Sequence, residues 1–282
     1  MHWKLSLKRA LQARCSIPDL IPSRWSDLSL ADIRALPVTG ITRHSTLSDW
    51  FDVDVSDSES SDVGNEISVV GDCAWLDRVG YRMADGKISM VGDCGDRVGR
   101  RMSGGTVEVH GNVGDYAASE LTGGTVLIRG NAGDAFGGAV AGSERGMRGG
   151  QGIVVGSTGT RTGYRLRRGT ILVGGTIGPE SAAEMIAGTL VGLGAVESDC
   201  LINARRGTVV ATQPIGSTSA IFSGLQAAEL NYLPILWRNL QSVCAHFELD
   251  LPLPSSHKVE RRVGDRAVKG LAELLIVACG TR

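Results

Sequence analysis

The 282-residue sequence has few aromatic side chains (5%) and no long apolar run. No segment approaches the roughly 20 apolar residues of a membrane span. The opening stretch, Met1 to Arg14, interleaves charges with its apolar residues, so no signal-peptide core is read there. Six cysteines are present (Cys15, Cys73, Cys94, Cys200, Cys244, Cys279), none in a CxxC pair and none clustered with histidine. That pattern speaks against a zinc or iron–sulfur site and for reduced thiols in a cytoplasmic protein. Net charge is nearly absent too: a formal charge of -1 argues against general binding to nucleic acid or to a membrane surface. The sequence lacks HExxH, a nucleophile elbow and a P-loop. Its glycine-rich run Gly149-Gly150-Gln151-Gly152 has neither the lysine nor the strand–helix context of a phosphate cradle.

Glycine is abundant instead, at 39 residues, about twice the usual share. It is periodic. A glycine, a short β-branched run and another glycine recur as Gly86–Gly92, Gly105–Gly111, Gly124–Gly130, Gly150–Gly156, Gly169–Gly175 and Gly188–Gly194, then as a degraded Gly207–Gln213. A looser copy, Asn65–Gly71, begins the series. Successive copies start 19 residues apart, except for one step of 26, which marks a seven-residue insertion placed within Ala141 to Gly149. A five-residue strand cannot bury itself, whereas stacked parallel strands give every backbone group a partner and create a continuous interior. Glycine followed by Asn or Asp after each strand, as at Gly92, Gly111 and Gly130, is read as a corner whose residues tolerate left-handed angles. The expected fold is mainly β: a single-stranded right-handed parallel β-helix of about eight turns over residues 64–216, with a C-terminal helical segment.

Aligned columns refine that expectation. Two positions after the first glycine lie Ile88, Val107, Val126, Gly152, Ile171, Leu190 and Val209; four after lie Met90, Val109, Ile128, Val154, Val173, Gly192 and Ala211. Both columns should face inward, with Gly152 suggesting a one-residue shift beside the insertion. One position after, threonine predominates, as an exposed ladder. The column between the two interior ones should face outward, yet it passes from Ser89 and Glu108 to Leu127, Ile153, Leu172, Val191 and Val210. An outward aliphatic row requires a cover, either the chain's own C-terminal region or a partner. Cys73 and Cys94 occupy equivalent places and should stack as a small apolar ladder, while the scattered histidines, His110 included, read as structural.

Residues 1–63 lack the repeat and read as an N-terminal cap with an acidic linker over Asp49 to Asp62. Residues 217–282 read as a helical segment and tail packing on the solenoid. Phe222 to Phe247 has helical apolar spacing interrupted by Pro234, Leu251 to Pro254 forms an extended connector, and the last residues form a terminal strand.

The units Gly92-Asp-Cys-Gly-Asp-Arg-Val-Gly99, Gly111-Asn-Val-Gly-Asp115 and Gly130-Asn-Ala-Gly-Asp134 resemble the GxxGxxxG repeats of two related groups: the C subunit of formylmethanofuran dehydrogenase and the C-terminal domain of the glutamate synthase large subunit. The length and the Gly264-Asp265 to Glu273-Leu-Leu tail resemble the stand-alone protein of the first group. The scarcity of lysine beside arginine favours its bacterial branch, the formyltransferase/hydrolase complex of methylotrophs. This resemblance implies a non-catalytic scaffold, with the catalytic residues on other subunits and no metal or cofactor on this chain. The implied partners are a formyltransferase subunit, an amidohydrolase-like subunit and a dehydrogenase B-like subunit, serving a methanofuran-type carrier. A glutamate synthase-like structural domain and a β-helix polysaccharide-active enzyme remain the alternative readings.

Arginine is the remaining feature. Ten arginines lie between Arg97 and Arg168 against five carboxylates. Arg167-Arg168 and Arg205-Arg206 share a column two turns apart, roughly 10 Å by strand spacing. With Arg129 and Arg165 they form the candidate surface for partners, or for the glutamate-rich tail that the resemblance assigns to the carrier, since guanidinium pairs well with carboxylate.

Overall fold

A computed structural model describes residues 1–9, 13–40, 45–56 and 65–277. In chain order its strands are β1 (His2–Leu7), β2 (Cys15–Ser16), β3 (Phe51–Ser56), β4 (Glu66–Val70), β5 (Leu76–Asp77), β6 (Lys87–Val91), β7 (Thr106–Val109) and β8 (Thr125–Ile128). They continue as β9 (Arg148–Val154), β10 (Arg168–Val173), β11 (Thr189–Gly192), β12 (Thr208–Ala211), β13 (Gln226–Glu229), β14 (Lys258–Gly264) and β15 (Ala272–Val277). The α-helices are α1 (Pro22–Trp25), α2 (Leu30–Arg34) and α3 (Leu233–His246). Thirteen strands make one sheet in the order β13-β14-β15-β12-β11-β10-β9-β8-β7-β6-β4-β1-β3, parallel from β1 through β15. This is the wall of a β-helix. None of the described helices is long and apolar enough to cross a membrane.

A second wall follows each strand as a ladder of single-residue bridges, Cys73–Cys94–Val113–Ala132–Thr158–Ile177–Val196–Ile215. Cys73 and Cys94 are thus stacked neighbours, and burial pushes the Cys73 thiol up to about 12, so it stays a protonated packing group. The predicted left-handed role of the corner dipeptides holds for the glycines of Gly71-Asp72 (φ +130°) and Gly92-Asp93 (φ +132°) but not for those of Gly111-Asn112 and Gly130-Asn131. The Asp and Asn side chains reach along the rod: Asn112 N–H donates to Asp93 Oδ1 (2.7 Å), Asn131 N–H to Asn112 Oδ1 (2.9 Å) and Ser157 N–H to Asn131 Oδ1 (2.8 Å). A parallel ladder joins Asp77, Asp96, Asp115 and Asp134. Further left-handed residues line a third wall and are mostly not glycine: Arg97 and Arg101, then Tyr116, Ala118 and Glu120, then Glu180, Ala182 and Glu184. Such angles cost roughly 1–2 kcal/mol per residue. Turn-to-turn hydrogen bonds offset this, as from Arg97 N–H to Asp115 O (2.7 Å) and Ala118 N–H to Val98 O (2.8 Å).

The two interior columns are buried as expected, but the suspected shift at Gly152 does not occur. Gly152 pairs in register with Val126 and Ile171. The missing side chain makes room for the Phe136 ring, whose Cε1 would lie 2.8 Å from a Cβ at this site. The irregularity lies earlier, as a bulge between Arg168 and Thr170 against β9. The insertion falls between the inward-facing Phe136 and Met147, so it begins slightly earlier than the sequence placed it. The threonines pair in register along the rod and are half-buried, not fully exposed.

The outward aliphatic column is covered by the chain itself. Leu127, Ile153, Leu172, Val191 and Val210 pack with Leu233, Trp237, Leu240 and Cys244 of α3 in a second core. Pro234 does not interrupt that helix. It lies in the first turn, where its missing N–H costs nothing, and residues before it form β13 instead of helix. At the other end, β1 extends the parallel ladder and β3 pairs antiparallel to it. The first part of the expected acidic linker is therefore a strand: Phe51 and Val53 are buried while Asp52 and Asp54 beside them are exposed. Asp57, Glu59, Asp62 and Cys279 lie outside the described residues.

Candidate functional site: an arginine-lined cleft

Each turn enters the sheet through a corner of fixed plan. An apolar residue points inward (Met147, Leu166, Met185, Ala204), two residues follow, and a glycine then swings the chain into the strand. At Gly207, φ is +109° and an added Cβ would stand 2.7 Å from Met185 Cε, so glycine is required. The two residues between have no interior to enter and are pushed to the surface. They are Arg167-Arg168, Ile186-Ala187 and Arg205-Arg206 on three successive turns, and all four guanidinium-bearing residues are exposed. Their backbone is fixed: Arg167 N–H donates to Met147 O (2.9 Å) and Arg205 N–H to Met185 O (2.8 Å).

The result is two adjoining depressions. The smaller, about 410 Å³, has Arg167 and Arg168 on one side, Arg205 and Arg206 on the other, and Ile186 to Gly188 as its floor. The larger, about 870 Å³, shares Arg167, Ile186 and Arg205 and reaches Arg165, Glu184 and Asn203 on the third wall. Glu144 and Arg145 of the insertion stand at one margin and Val268 of the C-terminal loop at another. Arg165 is committed: its Nε donates to Glu184 Oε2 (2.8 Å), and Tyr164, beside it, donates its hydroxyl to Glu184 Oε1 (3.2 Å). No carboxylate of the described residues pairs with Arg167, Arg168, Arg205 or Arg206. Four guanidinium groups around an aliphatic floor, none within ion-pair distance of a carboxylate among the described residues, are chemically complementary to carboxylate groups.

Five of the six predicted residues therefore border one surface. Arg129 does not. It lies on the sheet face, where Nη2 is 2.7 Å from Glu108 Oε1 and donates to Phe247 O at 3.0 Å, tying the end of α3 to the sheet. Sequence reasoning missed Arg145, Glu184, Asn203 and Val268. Arg145 sits in an insertion outside the repeat register and Val268 in a non-repeat loop, so no column analysis reaches them. Among the described residues no group of His, Cys, Asp and Glu is arranged to hold a metal ion.

No family model matches the chain, and no curated protein matches it significantly. A solved structure does. It is one chain of the formyltransferase/hydrolase complex FhcABCD from Methylorubrum extorquens, crystallised in complex with methylofuran. Identity is 33% and the TM-score is 0.86, with 98% of this chain and 100% of that chain covered. The chain belongs to the family of that protein. A family member aligned from end to end accounts for the terminal strands and α3 as well as the repeat, so the cleft sits on a scaffold shared over its full length.

Proposed function

We propose that this chain is the β-helical member of a cytoplasmic formyltransferase/hydrolase complex, the counterpart of the C subunit of formylmethanofuran dehydrogenase, and that it serves as a non-catalytic scaffold. The observation that carries this reading is the end-to-end correspondence with a chain of FhcABCD. The partners are a formyltransferase chain, an amidohydrolase-like chain and a dehydrogenase B-like chain. The chain carries no cofactor of its own, and the complex works on a methanofuran-type carrier.

Within that complex the cleft bordered by Arg167, Arg168, Arg205 and Arg206 takes the carrier's anionic tail and guides it between catalytic chains. Two features support this: the exposed guanidinium groups, unpaired among the described residues, and a spacing of roughly 10 Å between the two pairs, which suits a chain of repeated carboxylates better than a single small anion. Native mass spectrometry of the untagged complex tests the assignment. Formyltransferase and amidohydrolase-like chains are expected to accompany this one. Purification of the chain without them, or turnover of a formyl substrate by the isolated chain, would overturn it.

A further inference from the structure

Most of the exposed large apolar residues belong to the segment that follows the last turn of the repeat. Among the described residues, Ile221 (57% exposed), Leu225, Tyr232, Ile235, Val268 and Leu271 (61%) all follow residue 220. One buried carboxylate ties Ile221 to the loop that carries Val268 and Leu271. Asp265 accepts the backbone N–H groups of Ile221 (3.0 Å), Ala267 (2.9 Å) and Asn203 (3.3 Å). Arg266 N–H donates to Ile221 O (2.8 Å), Gly270 N–H to Asp265 O (2.7 Å) and Leu271 N–H to Arg205 O (2.7 Å). The loop of residues 265–271 is thus held at both ends and in its middle, while Arg266, Val268, Lys269 and Leu271 point their side chains into solvent. A loop fixed by its backbone but open at its side chains loses little entropy on association, which suits an interface anchor.

Charge identifies the occupant. Arg266 and Lys269 join Arg205 and Arg206 here, and the loop's single carboxylate, Asp265, is buried and consumed by backbone donors. The surface is therefore basic with aliphatic anchors. An all-ionic ligand would leave Val268 and Leu271 uncovered, whereas a protein surface with carboxylates around an apolar pocket covers both.

We infer that the surface formed by Ile221, Arg266, Val268, Lys269 and Leu271 docks an acidic face of a neighbouring polypeptide in the complex. This rests on the reading of the chain as a member of that assembly. The experiment reconstitutes the full-length chain with the other three chains and records by native mass spectrometry which of them assemble, for wild type, for Arg266→Glu with Lys269→Glu, and for Val268→Asp with Leu271→Asp. Each double variant should lose one specific partner, with affinity reduced about tenfold or more, while the circular dichroism and Tm of the isolated chain stay at wild-type values. Arg266→Lys should retain the partner. Undiminished assembly of both double variants would overturn the inference and leave the reading of the chain as a complex member intact. Failure of the wild-type chain to associate with any of the three would instead sink that reading. Formation of a dimer by the isolated chain, abolished by the variants, would reassign the surface to a second copy and overturn the inference.

Discussion

Two stripes of like residues run along this rod, and they meet different fates. The aliphatic stripe from Leu127 to Val210 lies on the sheet face and is covered by the chain's own α3, with Trp237 and Leu240 seated on it. The arginine stripe at the corner, Arg167-Arg168 and Arg205-Arg206, is exposed and has no carboxylate partner among the described residues. Folding can supply the cover for an apolar surface, because burial itself stabilises, by about 1.5–3 kcal/mol for each large aliphatic side chain. It supplies no comparable drive to cover four solvated guanidinium groups. The stripe closed in cis belongs to stability, and the stripe left open is the one proposed above for binding.

That division is disrupted most severely through α3. Trp237→Ala should destabilise the protein by about 3–5 kcal/mol, seen as a lower Tm, and should expose the aliphatic stripe to a hydrophobic dye. Retention of wild-type Tm would mean that the helix is not the cover. Next comes Gly152→Ala, whose new methyl group meets the Phe136 ring. It should cost roughly 1–3 kcal/mol by overpacking, and Phe136→Leu in the same chain should recover part of that.

Glu120 shows what a paired arginine does that the unpaired ones do not. Burial alone would raise its pKa, but Arg101 and Arg100 donate into it and hold the carboxyl down to about 2. A group whose folded pKa is depressed contributes stability above its unfolded value, near 4.5, and loses that contribution as pH falls toward the folded value. The protein should therefore lose stability between about pH 4.5 and pH 2, and Glu120→Gln should flatten that part of the denaturation profile while costing roughly 1–3 kcal/mol at neutral pH. The smallest effect on stability is expected at the open stripe. Arg167→Glu with Arg168→Glu should change folding free energy by no more than about 0.5 kcal/mol, measured by urea titration.

Much of this was legible in sequence, for definite reasons. The 19-residue spacing reports the period of the coil directly, and corner glycines such as Gly207 fix which neighbouring positions must face out, so the arginine pairs at 167–168 and 205–206 could be placed without coordinates. The third wall was not legible, because most of its left-handed residues, such as Arg97, Tyr116, Ala118 and Glu184, are of types that carry no turn signal, and glycines such as Gly99 and Gly163 mark only the middle of some turns. Nor was the strand Phe51–Ser56, where alternate aspartates obscured the apolar face formed by Phe51 and Val53. Arg129 was grouped with the cleft by charge alone, although its position five after the corner glycine puts it on the sheet face beside Glu108. The margin of the cleft comes from residues 144, 145 and 268, which lie outside the repeat altogether.

If the open stripe is a binding surface, its anionic partner lies outside the chain. Titration of an oligoglutamate peptide into the full-length protein at low salt tests this, beside a variant carrying Glu at 167, 168, 205 and 206. Binding that weakens steeply with added salt and vanishes in the variant is the predicted result. Equal affinity in both proteins, or no binding to wild type at low ionic strength, would contradict it.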